Sequence, residues 1–204
     1  VRAFTKNALI FHITANCIVL VDAKTIRLCC KGDRQGHKAM YESTVRYVYA
    51  TVCRYIQGEE DRRDVVQESY AKVFAHIGTY STSKGTFNTW LRKVTVNECF
   101  MHLRKHKKHS VMVPVDIHAH QLSSSDGAEL EGLTRKDIEE MLLDMPYGYK
   151  VVFFLSVMDG YDHKEIAEML DIQPETSRSQ LTRAKNWIRK QLCNRTNTNA
   201  YGLF

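Results

Sequence analysis

The 204-residue sequence predicts an all-α protein: two small helical domains joined by a flexible linker. Three observations predict it. Only three prolines and ten glycines punctuate the chain, so turns are few and helices long. Apolar residues recur at helical spacing through most of residues 24–108 and again through 135–192. Between these tracts, residues 110–133 lose the periodicity and carry Pro114 and the run Ser123-Ser124-Ser125-Asp126-Gly127. The expected organisation is an N-terminal extension over 1–21, a first domain over 22–109 and the linker over 110–133. A second domain over 134–193 and a polar tail over 194–204 complete it.

The formal net charge is +6, and it is unevenly placed. Residues 92–109 hold six Lys/Arg against one Glu, and residues 174–195 repeat that ratio. The stretch 116–144 between them is acidic. Two basic blocks flanking an acidic connector suit an anionic partner better than the total alone implies. The six cysteines, Cys17, Cys29, Cys30, Cys53, Cys99 and Cys193, form no CxxC pair. They suggest buried thiols in a reducing compartment, here the cytoplasm, rather than a disulfide framework.

Residues Ala8 to Val21 are mostly apolar behind Arg2 and Lys6. A signal peptide is the sharp interpretation, but His12, Thr14 and Asn16 interrupt the run and no small-x-small site follows. It is also short for a membrane span. The expectation is an over-extended start, with Val21 in the place of an initiator; detection of residues 1–20 in the native protein would overturn it. From Lys24 to Ile56 the pattern is helical, broken at Lys31-Gly32-Asp33. Ala39, Met40, Tyr41, Val45, Val48, Tyr49, Val52 and Ile56 give its apolar face. Gln57-Gly58 ends it.

Glu59 to Ile77 is the next helix, with Val65, Val66, Tyr70, Val73, Phe74 and Ile77 inward. Asp61, Asp64, Gln67 and Glu68 line an acidic-polar face. By itself such a face is ordinary solvation, yet it is out of place in a nucleic-acid binder and would suit a basic protein partner. The loop Gly78–Thr86 presents Tyr80 among small hydroxyls. It could hold an unstacked base, or Tyr80 could simply fold under. A helix then runs from Phe87 to about Lys108, aromatic at its start and basic at its end. Such a helix can pack at one end and lie along phosphates at the other. His102, His106 and His109 tempt a metal interpretation, but four Lys/Arg crowd them and no carboxylate or Cys joins them at ligand spacing. No metal and no cofactor is expected.

Beyond the linker, Ile138, Met141, Leu142 and Met145 pack, Pro146 punctuates, and Val151 to Met158 start a second buried face. Asp159-Gly160 turns into a helix pair over 161–192. Asp162 followed by Glu165 is a capping-box start, Asp171-Ile172-Gln173 spans the turn, and Pro174 suits a first helical position. The second helix puts Ser177, Leu181, Ala184, Ile188 and Leu192 in one stripe. Glu175, Ser179, Thr182, Arg183 and Asn186 lie opposite, flanked by Arg178 and Lys185. A helix that is apolar on one side and short, polar and basic on the other can pack on a domain and enter a major groove. An amphipathic pair with a solvated basic face is the bland alternative. The second domain should be a four-helix unit.

Three stretches, in order, resemble a bacterial sigma factor of the extracytoplasmic-function type, in the sigma-70 family. Asp64-Val-Val-Gln67-Glu68-Ser-Tyr70 is similar to that family's D-x-x-Q-E-x-F/Y helix. Phe87-Asn-Thr-Trp90-Leu91, Asn97 and Leu103-Arg104-Lys105 resemble its F-x-T-W-L…N…L-R-R segment. Met145-Pro146, Phe153 to Leu155, Gly160-Tyr161, Glu165-Ile166-Ala167 and Thr176 through Ala184 resemble its C-terminal signature.

The resemblance implies a region 2-like first domain, a region 4-like second domain and a non-enzymatic subunit that lends promoter recognition to core RNA polymerase. It implies that Asp61, Asp64, Gln67 and Glu68 dock on the polymerase clamp coiled coil, and that the second domain meets the flap. Tyr80, Thr86, Lys93, Asn97, Arg104, Lys105 and Lys107 would read and open the minus-ten element. Glu175, Thr176, Arg178, Ser179, Thr182, Arg183 and Asn186 would read the minus-thirty-five element. An anti-sigma factor is the further partner implied. The sequence departs from the family pattern at several places. Asp162-His163 replaces Ser-Tyr/Phe, Ser177 replaces a buried Val, and Met101 stands where Asp is frequent. Glu175 and Gln180 stand where small and basic residues are frequent. Two other classes remain. A duplex-binding regulator would gain nothing from the acidic face, and a nuclease needs clustered carboxylates or a His-based site not evident in the sequence.

Overall fold

The computed structural model describes residues 21–106, 141–142 and 144–200, with side chains up to Cys193. The chain divides into two compact units, Val1–Lys107 and Lys108–Phe204. Among the described residues there is no strand. Also among them, no helix is long and apolar enough to cross a membrane. The expected N-terminal extension before Val21 and the linker at 110–133 lie outside the described residues.

In the first unit, α1 (Ala23–Cys30) starts at Asp22, whose carboxylate accepts from the Thr25 amide at 2.7 Å. The break at Lys31-Gly32-Asp33 is real: Asp33 caps α2 (Arg34–Tyr55) by accepting from the Gly36 amide at 2.7 Å. α1 lies close on α2 at Gly36, where a Cβ would meet Leu28 Cβ at 2.6 Å. Only glycine allows that approach. The buried stripe of α2 is Met40, Thr44, Val48, Thr51, Val52 and Tyr55. Two of these are polar, and the apolar pattern missed them. Both are satisfied locally. Thr44 Oγ1 lies 2.7 Å from the Met40 carbonyl and 2.6 Å from Tyr70 Oη, and Thr51 bonds the Tyr47 carbonyl. Ala39 and Tyr41, expected inward, are exposed.

α3 (Glu59–His76) follows Gly58, which holds φ 90°, and packs on α2 through Val65, Val66, Tyr70 and Val73. Two single-turn 3₁₀ helices, Ile77–Thr79 and Thr82–Lys84, form the loop into α4 (Phe87–Lys105). α4 packs on both α2 and α3 and ends at Lys105, with His106 as C-cap, short of the expected Lys108. Cys29, Cys53 and Cys99 are buried and unbridged. Burial pushes the Cys29 and Cys53 thiols up, which favours their protonated form.

The second unit contains buried Met141, Leu142 and Met145, then α5 (Tyr147–Phe153) after Pro146. The helix widens into a π turn over Phe154–Met158, with Asp159 N–H donating to the Phe154 carbonyl at 2.9 Å. Gly160 at φ 75° then redirects the chain into α6 (His163–Leu170). Asp171 caps α6 in the left-handed region at φ 53°, a conformation that Asp tolerates better than most residues. α7 (Pro174–Ala200) begins at Pro174 as expected and continues past Leu192. No proline or glycine stands between them and Ala200, so nothing stops the helix where its apolar stripe ends. α7 packs on α5 and α6.

Candidate nucleic-acid interface

Three helix faces carry the candidate residues. On α3, Asp64 and Gln67 are exposed, whereas Asp61 and Glu68 are half-buried. The cause is His102 of α4, itself 4% exposed: its Nε2 lies 3.3 Å from Asp61 Oδ1 and its Nδ1 4.0 Å from Glu68 Oε2. The acidic face is therefore a layered one. Two carboxylates lean on a buried imidazole, and two polar groups stand clear of it. The linear spacing of His102, His106 and His109 could not show these carboxylates, because they arrive from another helix. They flank opposite ring nitrogens, so they do not converge on one point. The His106 ring lies tilted against His102, at 4.4 Å between ring centroids. Among the described residues, no group of three His, Cys, Asp or Glu could hold a metal ion.

At the start of α4, Tyr80 takes a place between the two that the loop sequence left open, a free aromatic or one folded under. It is half-buried, with its ring 5.5 Å from Phe87 edge-on and 5.9 Å from Trp90. Phe87 anchors the cluster in the core, while Trp90 stays half-exposed. The three rings form a low wall beside the loop rather than a single protruding plate. Thr86 is the N-cap of α4. Its Oγ1 accepts from the Thr89 amide at 3.2 Å and meets Thr89 Oγ1 at 2.9 Å, so its hydroxyl is already engaged.

Along α4, Lys93, Asn97, Arg104 and Lys105 are all exposed. Helical spacing places Lys93, Asn97 and Arg104 on one stripe. Met101 joins that stripe at 55% exposure, with the Arg104 guanidinium 3.3 Å from its sulfur. In the sequence Met101 is only a departure from the family pattern; its place on this face comes from the fold. Lys107 lies outside the described residues.

In the second unit the capping box at α6 is complete. Asp162 accepts from the amides of Lys164 and Glu165 at 2.7 and 2.8 Å, and Glu165 accepts from the Asp162 amide at 2.9 Å. The two backbone donors hold the Asp162 carboxyl below its usual range. On α7, Glu175, Arg178, Ser179 and Thr182 are exposed, and Thr176, Arg183 and Asn186 are partly so. Arg178 is paired with Glu175 at 2.6 Å, and Asn186 accepts from Arg189 at 3.2 Å. Glu175 thus tempers one cation of the face. Gln180, which takes a family position that is often basic, is 1% exposed and sits on the packed side. It is no part of the polar face. Ser177 is also fully buried, and it bonds to His163 at 2.9 Å. Where the family pattern has a buried Val, this chain therefore makes a polar contact.

Two family profiles match the chain: Sigma-70 region 2 over residues 40–109 and Sigma-70 region 4 over residues 135–188. The RNA polymerase sigma factor SigV of Bacillus subtilis is 31% identical over 144 residues, which is 71% of this chain and 83% of SigV. The chain belongs to the sigma-70 family. Within it, the likeness extends to the ECF sigma factor SigW of Bacillus subtilis, 22% identical over 179 residues, 83% of this chain and 95% of SigW. A solved structure of the sigma factor RpoE in complex with the anti-sigma factor NepR from Bartonella quintana covers 76% of this chain and 95% of its own, at 17% identity and a TM-score of 0.44. This chain is an extracytoplasmic-function sigma factor. It directs promoter-specific transcription initiation with core RNA polymerase.

Proposed function

We infer that this sigma factor divides its work by helix face. The acidic face of α3, with Asp61, Asp64, Gln67 and Glu68, docks on the basic side of the polymerase clamp coiled coil. The minus-ten element is captured and opened by the Tyr80 loop and α4, through Thr86, Lys93, Asn97, Arg104, Lys105 and Lys107. α7 reads the minus-thirty-five element with Glu175, Thr176, Arg178, Ser179, Thr182, Arg183 and Asn186. The boundaries drawn from the sequence, 22–109 and 134–193, separate these tasks.

The observation that carries this reading is the division of charge inside the first unit. α3 and α4 pack together, yet one presents carboxylates and the other lysine and arginine. A protein that only bound duplex DNA would be hindered by the first face; one that bridges a protein partner and DNA needs both. The aromatic wall at Tyr80, Phe87 and Trp90 supports base capture, since unstacking costs a few kcal/mol that stacking on rings can offset.

The factor acts without catalysis and without a cofactor, in the cytoplasm, where polymerase meets the chromosome. Family membership also supports an anti-sigma factor that covers one of these faces until it is released.

A pre-melted template tests the division. Lys93→Ala and Asn97→Ala should lower run-off from a closed promoter by roughly tenfold and recover on a template already open at the minus-ten element. Arg183→Ala should be equally defective on both templates. Recovery of Arg183→Ala on the open template, or no recovery of the α4 variants, would contradict it.

A further inference from the structure

We propose that His163 and Ser177 are positioning residues, a hydrogen-bonded tie that fixes the angle at which α7 meets the upstream element. The proposal rests on the reading of α7 as the recognition helix.

Ser177 lies on the fourth residue of α7, fully buried, on the side turned toward α6. His163 is the first residue of α6, half-buried, with Nδ1 2.9 Å from Ser177 Oγ. Much of the contact is apolar: Ile166, Ala167 and Leu170 from α6 and Ala184 from α7 are all buried, with Gln180 a second buried polar side chain on the packed side of α7. Apolar contacts are not directional, so they permit one helix to rock on another. A hydrogen bond has a preferred length and angle, so it does not.

The placement of the tie adds to its effect. At the C-terminal end of α6 the chain is held by the turn itself, with Asp171 left-handed and the Ile172 N–H donating to Ala167 at 3.0 Å. The N-terminal end of α6 has no covalent tether to α7 nearby, and that is where His163 reaches Ser177. α6 is thus pinned to α7 at both ends, which leaves no hinge between them. The pinned turn of α7 also carries Thr176, Arg178 and Ser179. In helix-turn-helix proteins the N-terminal residues of the recognition helix meet base edges. A tilt at this turn moves those side chains directly.

Each partner depends on the other. Without the imidazole, a buried hydroxyl lacks its partner across the interface; without the hydroxyl, the ring loses the group that orients it. Removing both leaves no stranded group. The effects of single and double substitutions are therefore strongly non-additive.

The test is a double-mutant cycle read by run-off transcription with core polymerase. The measured ratio compares a promoter for this factor with the same promoter carrying a scrambled upstream element. The thermal midpoint of each variant is recorded alongside. His163→Ala and Ser177→Ala should each reduce the ratio on the order of tenfold. The double variant should be no worse than either single one. His163→Asn, which can place a polar group near Nδ1, should keep the ratio within about twofold of wild type. Ratios that fall additively, singles that keep the wild-type ratio, or an Asn variant as defective as the Ala one would each overturn the tie. A wild-type protein that ignores the scrambled element would instead remove the reading of α7, and the proposal with it.

Discussion

Glu68 sits between the buried His102 and solvent. It is held 4.0 Å from His102, yet it keeps 44% of its side chain exposed. Charge reversal there should disturb docking more than folding. Glu68→Lys should lower affinity for core polymerase by at least tenfold, on the order of 2 kcal/mol for a charged interface contact. The far-ultraviolet spectrum should stay unchanged. Normal binding to core by the folded variant would move the docking face elsewhere.

Asp162 carries a pH signature. Its folded-state value is depressed by the amides of Glu165 and Lys164, below the ordinary 3.8. Its contribution is therefore fully present above the ordinary value and lost as pH falls through the folded one. The thermal midpoint of Asp162→Ala should lie below that of wild type at neutral pH. The two should converge as both are taken well below pH 3.8. A constant gap across that range would mean the carboxylate is not the stabilising group.

At the scale of elements, Gly36 decides how closely α1 and α2 approach. Alanine is the better helix former by about 1 kcal/mol. Against that, its Cβ would meet Leu28 Cβ at 2.6 Å and backbone at 3.1 Å, and backbone cannot step aside cheaply. Overpacking of this kind costs about 1–3 kcal/mol. Gly36→Ala should thus lower stability to denaturant, and a stabilised variant would show that α1 is loosely held.

The helices themselves were legible because their signals are local. Capping at Asp162 with Glu165, the Pro174 start and the apolar stripe of α7 need only spacing. What the sequence hid is contact across elements. The buried threonines of α2 look polar until Tyr70 and local carbonyls are placed beside them. Gln180 looks like a surface residue on a basic face, yet it is buried. His163 and Ser177 were two unrelated departures until the fold put them 2.9 Å apart. The Tyr80 loop shows the same limit, since nothing in GTYSTSKGT says how far a ring will lean onto Phe87.

For the whole molecule, the proposed assignment puts one DNA-binding face in each unit, and two faces on one chain would reinforce each other by raising the effective concentration of the second once the first is engaged. Binding should therefore be salt-dependent through both faces. Arg183→Ala should reduce the slope of log K against log salt by about one for duplex carrying the upstream element. An unchanged slope would place Arg183 away from phosphate.

The most direct measurement is assembly of the purified protein with core RNA polymerase, followed by run-off transcription on genomic fragments of its host. The account predicts discrete transcripts that require the protein and vanish with Glu68→Lys. Binding to duplex DNA with no polymerase association and no new transcript would contradict it.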